Sequence, residues 1–354
     1  MRDDESPLAF HDFLGQPVRR GNWRDHCTST YDLCSEAIRD GLWEDARILA
    51  RHTIDEAREP VALYTDWIPA IRDYLSEKGV PAAAVAADEE LVLATIRRRN
   101  TVAFDPQEGW SRVCALVDET DRLCQAHRSA DALTALETSR TVWLDTHDRL
   151  CDWLQGMIAI AARRIGEDCI GDLWDRLMTP MFDSYERFDV DRTPWEISSE
   201  SLLQVTAEAL RGHLSGTDRR GTLEFVEDDD RIGFRFRPCG SGGRNYTGGT
   251  FDTYPRTTEH HDWAWNLKGV CLYCAHCCAL SERNPIQRFG YPARVVEPPF
   301  EDGDESRAYC TWWVYRDPRR IPEEVYRRTG NRKPVEIGGA ATRAAKASPG
   351  RDAN

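Results

Sequence analysis

At 354 residues, 41% of them apolar and with 12 Trp, 11 Tyr and 11 Phe, the chain is long enough to bury a substantial core and to form two domains. Its formal charge of −14 weighs against a surface built throughout for nucleic acid, because phosphate binding needs a positive field. Nothing approaches the roughly 18 consecutive apolar residues of a membrane span, and the acidic start MRDDESPLAFHDF lacks the basic and apolar parts of a signal peptide, so a soluble cytoplasmic chain is expected.

Up to about residue 215 the apolar residues recur at helical spacing. Cys27, Tyr31, Cys34 and Ile38 form one such stripe, and Leu42, Ala46, Leu49 and Thr53 form the next after Gly41. Pro60 predicts the end of that helix or the start of another, where Leu63, Trp67, Ile71 and Leu75 repeat around a kink at Pro69. Further helices are predicted over 82–99, 106–127, 131–165, 168–187 and 199–214, with Gly216 as a stop. From Thr222 the period becomes two: Leu223 and Phe225, then Ile232, Phe234 and Phe236, flank the turn-like EDDD and predict a β-hairpin. Strands are also predicted over 293–297 and 309–315, and IPEEVYRRTG predicts a short closing helix with Gly330 at its end.

The fold class is therefore α+β: an N-terminal helical bundle over 1–216, a small antiparallel sheet module with a Cys/His metal site over 217–330, and a disordered tail over 331–354. Residues 1–230 carry 26 basic and 46 acidic side chains, whereas residues 231–354 carry 20 and 14, so the balance reverses in the last part of the chain.

Twelve cysteines in a reducing compartment point to packing, metal binding or catalysis rather than disulfides. The stretch CLYCAHCC places Cys271, Cys274, Cys277 and Cys278 around His276, with Cys239, His260, His261 and Cys310 elsewhere in the module. A CxxC pair brings two thiolates to one ion from a tight turn, and a second pair completes a tetrahedron. The expected ligands are Cys274, Cys277, Cys239 and His260, with His261 and Cys271 as substitutes, and zinc is the expected cofactor. An iron–sulfur cluster competes, since Cys271, Cys274 and Cys277 with Cys239 or Cys310 supply four thiolates. Zinc is preferred because no proline follows the remote cysteine: Pro238 precedes Cys239, and Thr311 follows Cys310.

The PCGSGGR stretch reads first as a glycine turn that lets Cys239 approach the metal, and second as an anion-binding concavity with Arg244 available to a carboxylate or phosphate. On the long helix, Arg140 and His147 interrupt an otherwise apolar stripe. A bundle edge would leave both solvated; facing inward, Arg140 needs a carboxylate such as Glu137, and His147 becomes a general base or substrate contact. His52 and Glu56 read as a surface pair.

The expected function is a zinc-dependent hydrolase of a small molecule, with His261, Asp262, Arg244 and His147 as catalytic candidates beside the metal. The alternative is a regulatory protein with a structural zinc, whose Trp263, Trp265, Tyr273, Trp312, Trp313 and Tyr315 would offer stacking surfaces to nucleic acid. No GxSxG, HExxH, HxE with PCxxC or paired ExxH signature names a reaction.

Overall fold

The computed structural model describes residues 6–99, 104–246, 254–299 and 308–338. It is mostly helical with a small antiparallel sheet.

Helix α1 (Thr30–Arg39) starts where Ser29 Oγ accepts the Tyr31 amide at 3.2 Å. After Gly41, α2 (Trp43–Glu77) runs as a single element of 35 residues. The expected break at Pro60 does not occur, and Pro69 also lies inside the helix. Pro60 cannot donate to the Glu56 carbonyl, but α7 (Trp195–Gly212) packs there: a β-carbon added to Gly212 would come within 2.1 Å of that oxygen. Tertiary packing thus holds the turn that the proline weakens.

Helix α3 (Ala82–Arg99) lies against α5 (Ser129–Ile165), the long helix expected from the sequence. Between them comes α4 (Pro106–Gln125), capped by Asp105 Oδ1, which accepts the amides of Gln107 and Glu108 at 2.8 and 3.1 Å. Helix α6 (Cys169–Tyr185) leads to α7, and both begin within a few residues of their expected starts.

The first sheet, in which β1 (Leu8–His11) pairs with β2 (Gln16–Arg19), has no counterpart among the expected elements. The second contains the expected strands, β3 (Glu224–Glu227), β4 (Arg231–Phe236), β5 (Val295–Glu297) and β6 (Cys310–Tyr315), antiparallel in the order β3-β4-β6-β5. Between β4 and β5 a helical run comprises α8 (Ala275–Cys278), a π-turn over Ala279–Arg283 and α9 (Asn284–Phe289), which stops at Gly290 with φ of 89°. Helix α10 (Glu323–Arg327) closes the fold, with Gly330 at φ of 72° just beyond it.

One apolar cluster crosses the expected boundary at 216/217, taking in Leu154, Trp174 and Leu203 of the bundle with Phe234, Val295 and Trp313 of the sheet. A second, made by α1, α4 and the first halves of α2 and α5, fills the outer bundle. Of the expected tail, 331–338 run back along the body, where Ile337 packs on the main core; 339–354 lie outside the described residues. Among the described residues no helix is long and apolar enough to cross a membrane.

Candidate functional site

Two buried groups meet where the sheet module packs on the bundle. The first is made of thiols. In the β4–β6 register Phe236 stands opposite Cys310, so Cys239, three residues beyond Phe236, leaves the sheet at the same end. Cys274 and Cys277 occupy the entry and first turn of α8, with the Cys277 amide donating to the Cys274 carbonyl at 3.0 Å. Gly242 and Gly243 let the loop after Cys239 lie directly on these residues. A β-carbon on Gly242 would come within 2.5 Å of Cys274 Sγ, and one on Gly243 within 2.7 Å of Cys239 Cβ.

The thiols sense one another. Burial pushes Cys277 well up, and Cys310 and Cys239 add to it; burial and then Cys239 do the same to Cys310. Cys274 is raised first by its hydrogen bond to the Cys271 thiolate and by burial, then by the charges of Cys271, Cys277 and Cys239. Burial alone would raise Cys271 too, but hydrogen bonds from Cys274 and Asn245 outweigh it and bring the thiol down to about 7. Asn245 Nδ2 stands 2.8 Å from Cys271 Sγ. Trp312 Nε1 donates to Cys310 Sγ at 3.3 Å, and His276 Nε2 lies 3.4 Å from Cys277 Sγ while its Nδ1 faces the Tyr273 carbonyl at 2.6 Å. Among the described residues, no three His, Cys, Asp or Glu side chains are grouped so as to hold a metal ion.

The second group is a hydrogen-bonded knot of side chains from α2, α5, the end of α7 and the glycine loop. Tyr64 Oη lies 2.9 Å from Ser241 Oγ, 3.2 Å from His213 Nδ1 and 3.3 Å from His147 Nε2. His213 Nδ1 is itself 2.9 Å from both His147 Nε2 and Ser241 Oγ. On its other side the His147 ring meets Asp148 Oδ1 at 2.9 Å. Arg219 binds both oxygens of Asp148 at 2.7 and 3.1 Å, and Arg244 bridges Asp148 at 3.0 Å and Asp152 at 2.7 Å. Burial alone would raise the Asp148 carboxyl, but Arg244, the His147 hydrogen bond and Arg219 hold it well below the usual carboxylate range. His147 is pushed down to about 4, chiefly by burial, and His213 well below its ordinary value by burial and then by His147. An ionised Asp148 fixes the proton of His147 on Nδ1, leaving Nε2 to accept from His213 or Tyr64.

The expected site residues fall into two sets. Cys239, Cys274, Cys277 and Cys310 are near enough to raise one another electrostatically without being grouped as ligands of a metal ion among the described residues, and His147 and Arg244 lie in the knot. The solvated edge expected for His147 is corrected: its side chain has 0% exposure because α2, α7 and the glycine loop cover that face of α5. Arg244 is enclosed between two carboxylates and is not an open anion receptor. His260, His261 and Asp262 lie apart. His260 is exposed and faces the Asn266 carbonyl at 2.7 Å; His261 Nε2 meets Glu167 at 2.7 Å with its ring stacked on Trp263; Asp262 is exposed, 3.6 Å from Arg283. His52 and Glu56, expected at the surface, are buried between α2 and α7.

Tyr64, His213 and Ser241 were not singled out by the sequence for this knot. Ser241 carried a signal in its position two residues after Cys239 inside the glycine run; His213, at the end of a helix, carried none. The expected stacking aromatics are mostly core: Trp263, Trp265, Tyr273, Trp313 and Tyr315 are all buried. A scan of protein-family models finds no match to the chain, and comparisons with curated proteins and with solved structures find none either.

Proposed function

We propose that this protein is a metal-dependent enzyme acting on a small molecule, with an iron–sulfur cluster held by the thiolates of Cys239, Cys274, Cys277 and Cys310. The observation that carries the reading is the mutual electrostatic influence of these four thiols, brought from a loop, a helix start and a strand, two buried and two half-buried, together with the nearby Tyr64–Ser241–His213–His147–Asp148 knot. Four sulfurs, with the Trp312 N–H directed at that of Cys310, form a donor set suited to such a cluster. A lone zinc needs its sulfurs about 2.3 Å from one point, whereas cluster thiolates bind separate irons and stand farther apart.

When bound, the cluster supplies an electron-transfer or Lewis-acid centre. The chain's own residues handle the protons. Arg219 and Arg244 keep Asp148 ionised, Asp148 orients the His147 ring, and the bare Nε2 accepts a hydrogen bond from Tyr64 Oη or His213 Nδ1, each within 3.3 Å. A zinc-dependent hydrolase using the same thiols is the second reading. It is favoured by Ser241 Oγ, 2.9 Å from an imidazole nitrogen in a glycine-rich turn, as an activated nucleophile would be.

Purification without oxygen, followed by metal and sulfide analysis, separates the two. The cluster reading expects iron and acid-labile sulfide in about equal amounts with visible absorption, lost in Cys310→Ser and kept in Cys124→Ala, a thiol of the outer bundle core. Stoichiometric zinc in a colourless protein would replace the cluster by the hydrolase reading, and the absence of both metals would overturn the two together.

A further inference from the structure

A guanidinium does not give up its proton, so one enclosed by protein needs an anion within reach. Arg294, the residue before β5, is 3% exposed. Its backbone N–H donates at 3.2 Å to the carbonyl of Ser281, in the π-turn that follows α8, which ties it to the helical run that carries Cys274 and Cys277. Nη1 donates to Thr206 Oγ1 of α7 at 2.9 Å and Nη2 to Tyr185 Oη at the end of α6. The guanidinium also lies over the rings of Trp312 and Tyr185, 4.9 and 5.4 Å from their centres. All of these partners are neutral. Among the described residues Arg294 makes no ion pair, and its Nε is buried without an acceptor. Glu59 of α2, an exposed residue, stands in its field without pairing with it.

Trp312 links this cation to the thiols. Its ring faces the guanidinium while its Nε1 donates to Cys310 Sγ at 3.3 Å. At Cys277, burial, Cys310 and Cys239 push the thiol up and Arg294 opposes them, the one cation among the leading influences on it. Four thiolates give a zinc ion or an iron–sulfur cluster a net negative charge, and in a buried site such a charge calls for a cation.

We infer that Arg294 is the counter-charge of the thiol centre, a positioning residue that acts across Trp312 to stabilise the negative charge held by Cys239, Cys274, Cys277 and Cys310 and so raises the reduction potential there. The inference rests on the reading of these thiols as a metal centre and assigns what tunes that same site. Two unmet needs are answered together: the guanidinium gains the anion that its neutral partners do not supply, and the thiolates gain a cation. Because the guanidinium stays charged at every working pH, its field is fixed, and a fixed positive charge favours the state of the centre that carries one more electron.

The test is a dye-mediated reduction titration of the full chain, purified without oxygen and followed by visible and electron paramagnetic resonance spectra, with iron content measured on each sample. Arg294→Gln removes the charge but keeps an amide N–H₂ for Thr206 or Tyr185. It should shift the one-electron equilibrium about tenfold towards the oxidised centre, a potential lower by about 59 mV, with the iron content unchanged. Arg294→Lys keeps the charge and should stay near the wild-type potential. Arg192→Met, at a side chain 60% exposed, removes a charge that water screens and should change nothing. Should Arg294→Gln fail to fold, Thr206→Asp seats a carboxylate on the same guanidinium and should lower the potential likewise with the arginine in place. A wild-type potential in the folded charge-neutralised variant, or an equal fall in Arg294→Lys and Arg294→Gln, would overturn the inference and leave the cluster reading standing. If the chain holds zinc instead, the cluster reading has failed, and the same charge is read from zinc affinity in competition with a chelator. Binding about tenfold weaker in Arg294→Gln is then expected, and equal affinity would overturn the inference. A chain that takes up neither metal overturns it together with the reading on which it rests.

Discussion

A histidine enclosed by protein resists protonation, because its charge would give up the hydration it enjoys in the unfolded chain. His147 and His26 are both pushed down to about 4, first by burial, with Arg211 and Arg19 adding to the effect at His26. The unfolded chain, with imidazoles near 6.5, therefore binds more protons than the native one between about pH 6.5 and 4. Stability is complete above this window and falls as the pH drops through it, by roughly 3 kcal/mol for each histidine at the lower end. Asp148, held below the usual carboxylate range, adds its own loss only below about pH 4. The urea midpoint should be clearly lower at pH 5 than at pH 7.5, and His147→Gln should narrow the difference; equal midpoints at the two pH values would contradict the buried neutral state. The sequence showed His147 as an interruption of an apolar stripe, which a bundle edge and a buried base satisfy equally. Only Tyr64, His213 and Ser241, 28 to 177 residues from one another or from His147 along the chain, make it internal.

At the scale of the elements, periodicity was a sound guide where one face is buried and misleading where a breaker sits inside a packed helix. α3, α5 and the strands β3 to β6 follow their apolar spacing closely, because alternation or helical repetition is what burying one face requires. α2 continues through Pro60 and Pro69 because neighbouring helices supply the contacts that a missing backbone hydrogen bond would forfeit. The same packing gives a prediction. In Gly212→Ala the new methyl group would stand 2.1 Å from the Glu56 carbonyl oxygen, so α7 must move off α2. The intrinsic helical gain of alanine, about 1 kcal/mol, is outweighed by an overpacking cost of roughly 1–3 kcal/mol or more. A lower melting temperature is expected, and an unchanged or higher one would show that α7 has room to shift.

The whole molecule is tied across its expected domain boundary by polar contacts as well as by apolar ones. Trp174 Nε1 donates to the Leu272 carbonyl at 2.9 Å, Trp195 Nε1 to that of Tyr315 at 2.8 Å, and Tyr64 meets Ser241. Removing the sheet module would strip the main core cluster of Phe234, Val295 and Trp313 and leave buried indole N–H groups unpaired. A fragment ending at residue 216 is therefore expected to lack a cooperative thermal transition, as measured by near-ultraviolet circular dichroism; a sharp transition in the isolated fragment would establish the bundle as self-sufficient.

The α+β class, most of the helices and the sheet strands followed from local pattern, since helical and strand periods are properties of short stretches of chain. The composition of the site did not. Cys310 joins Cys239 because β4 and β6 pair in one particular register, and His260 stays outside because its segment turns toward Glu167 at the start of α6. The burial of His52 and Glu56 and the Tyr–Ser–His–His–Asp knot likewise depend on which helix faces which. Such long-range choices are made by the sum of many weak packing contacts, and no local stretch of sequence carries that sum.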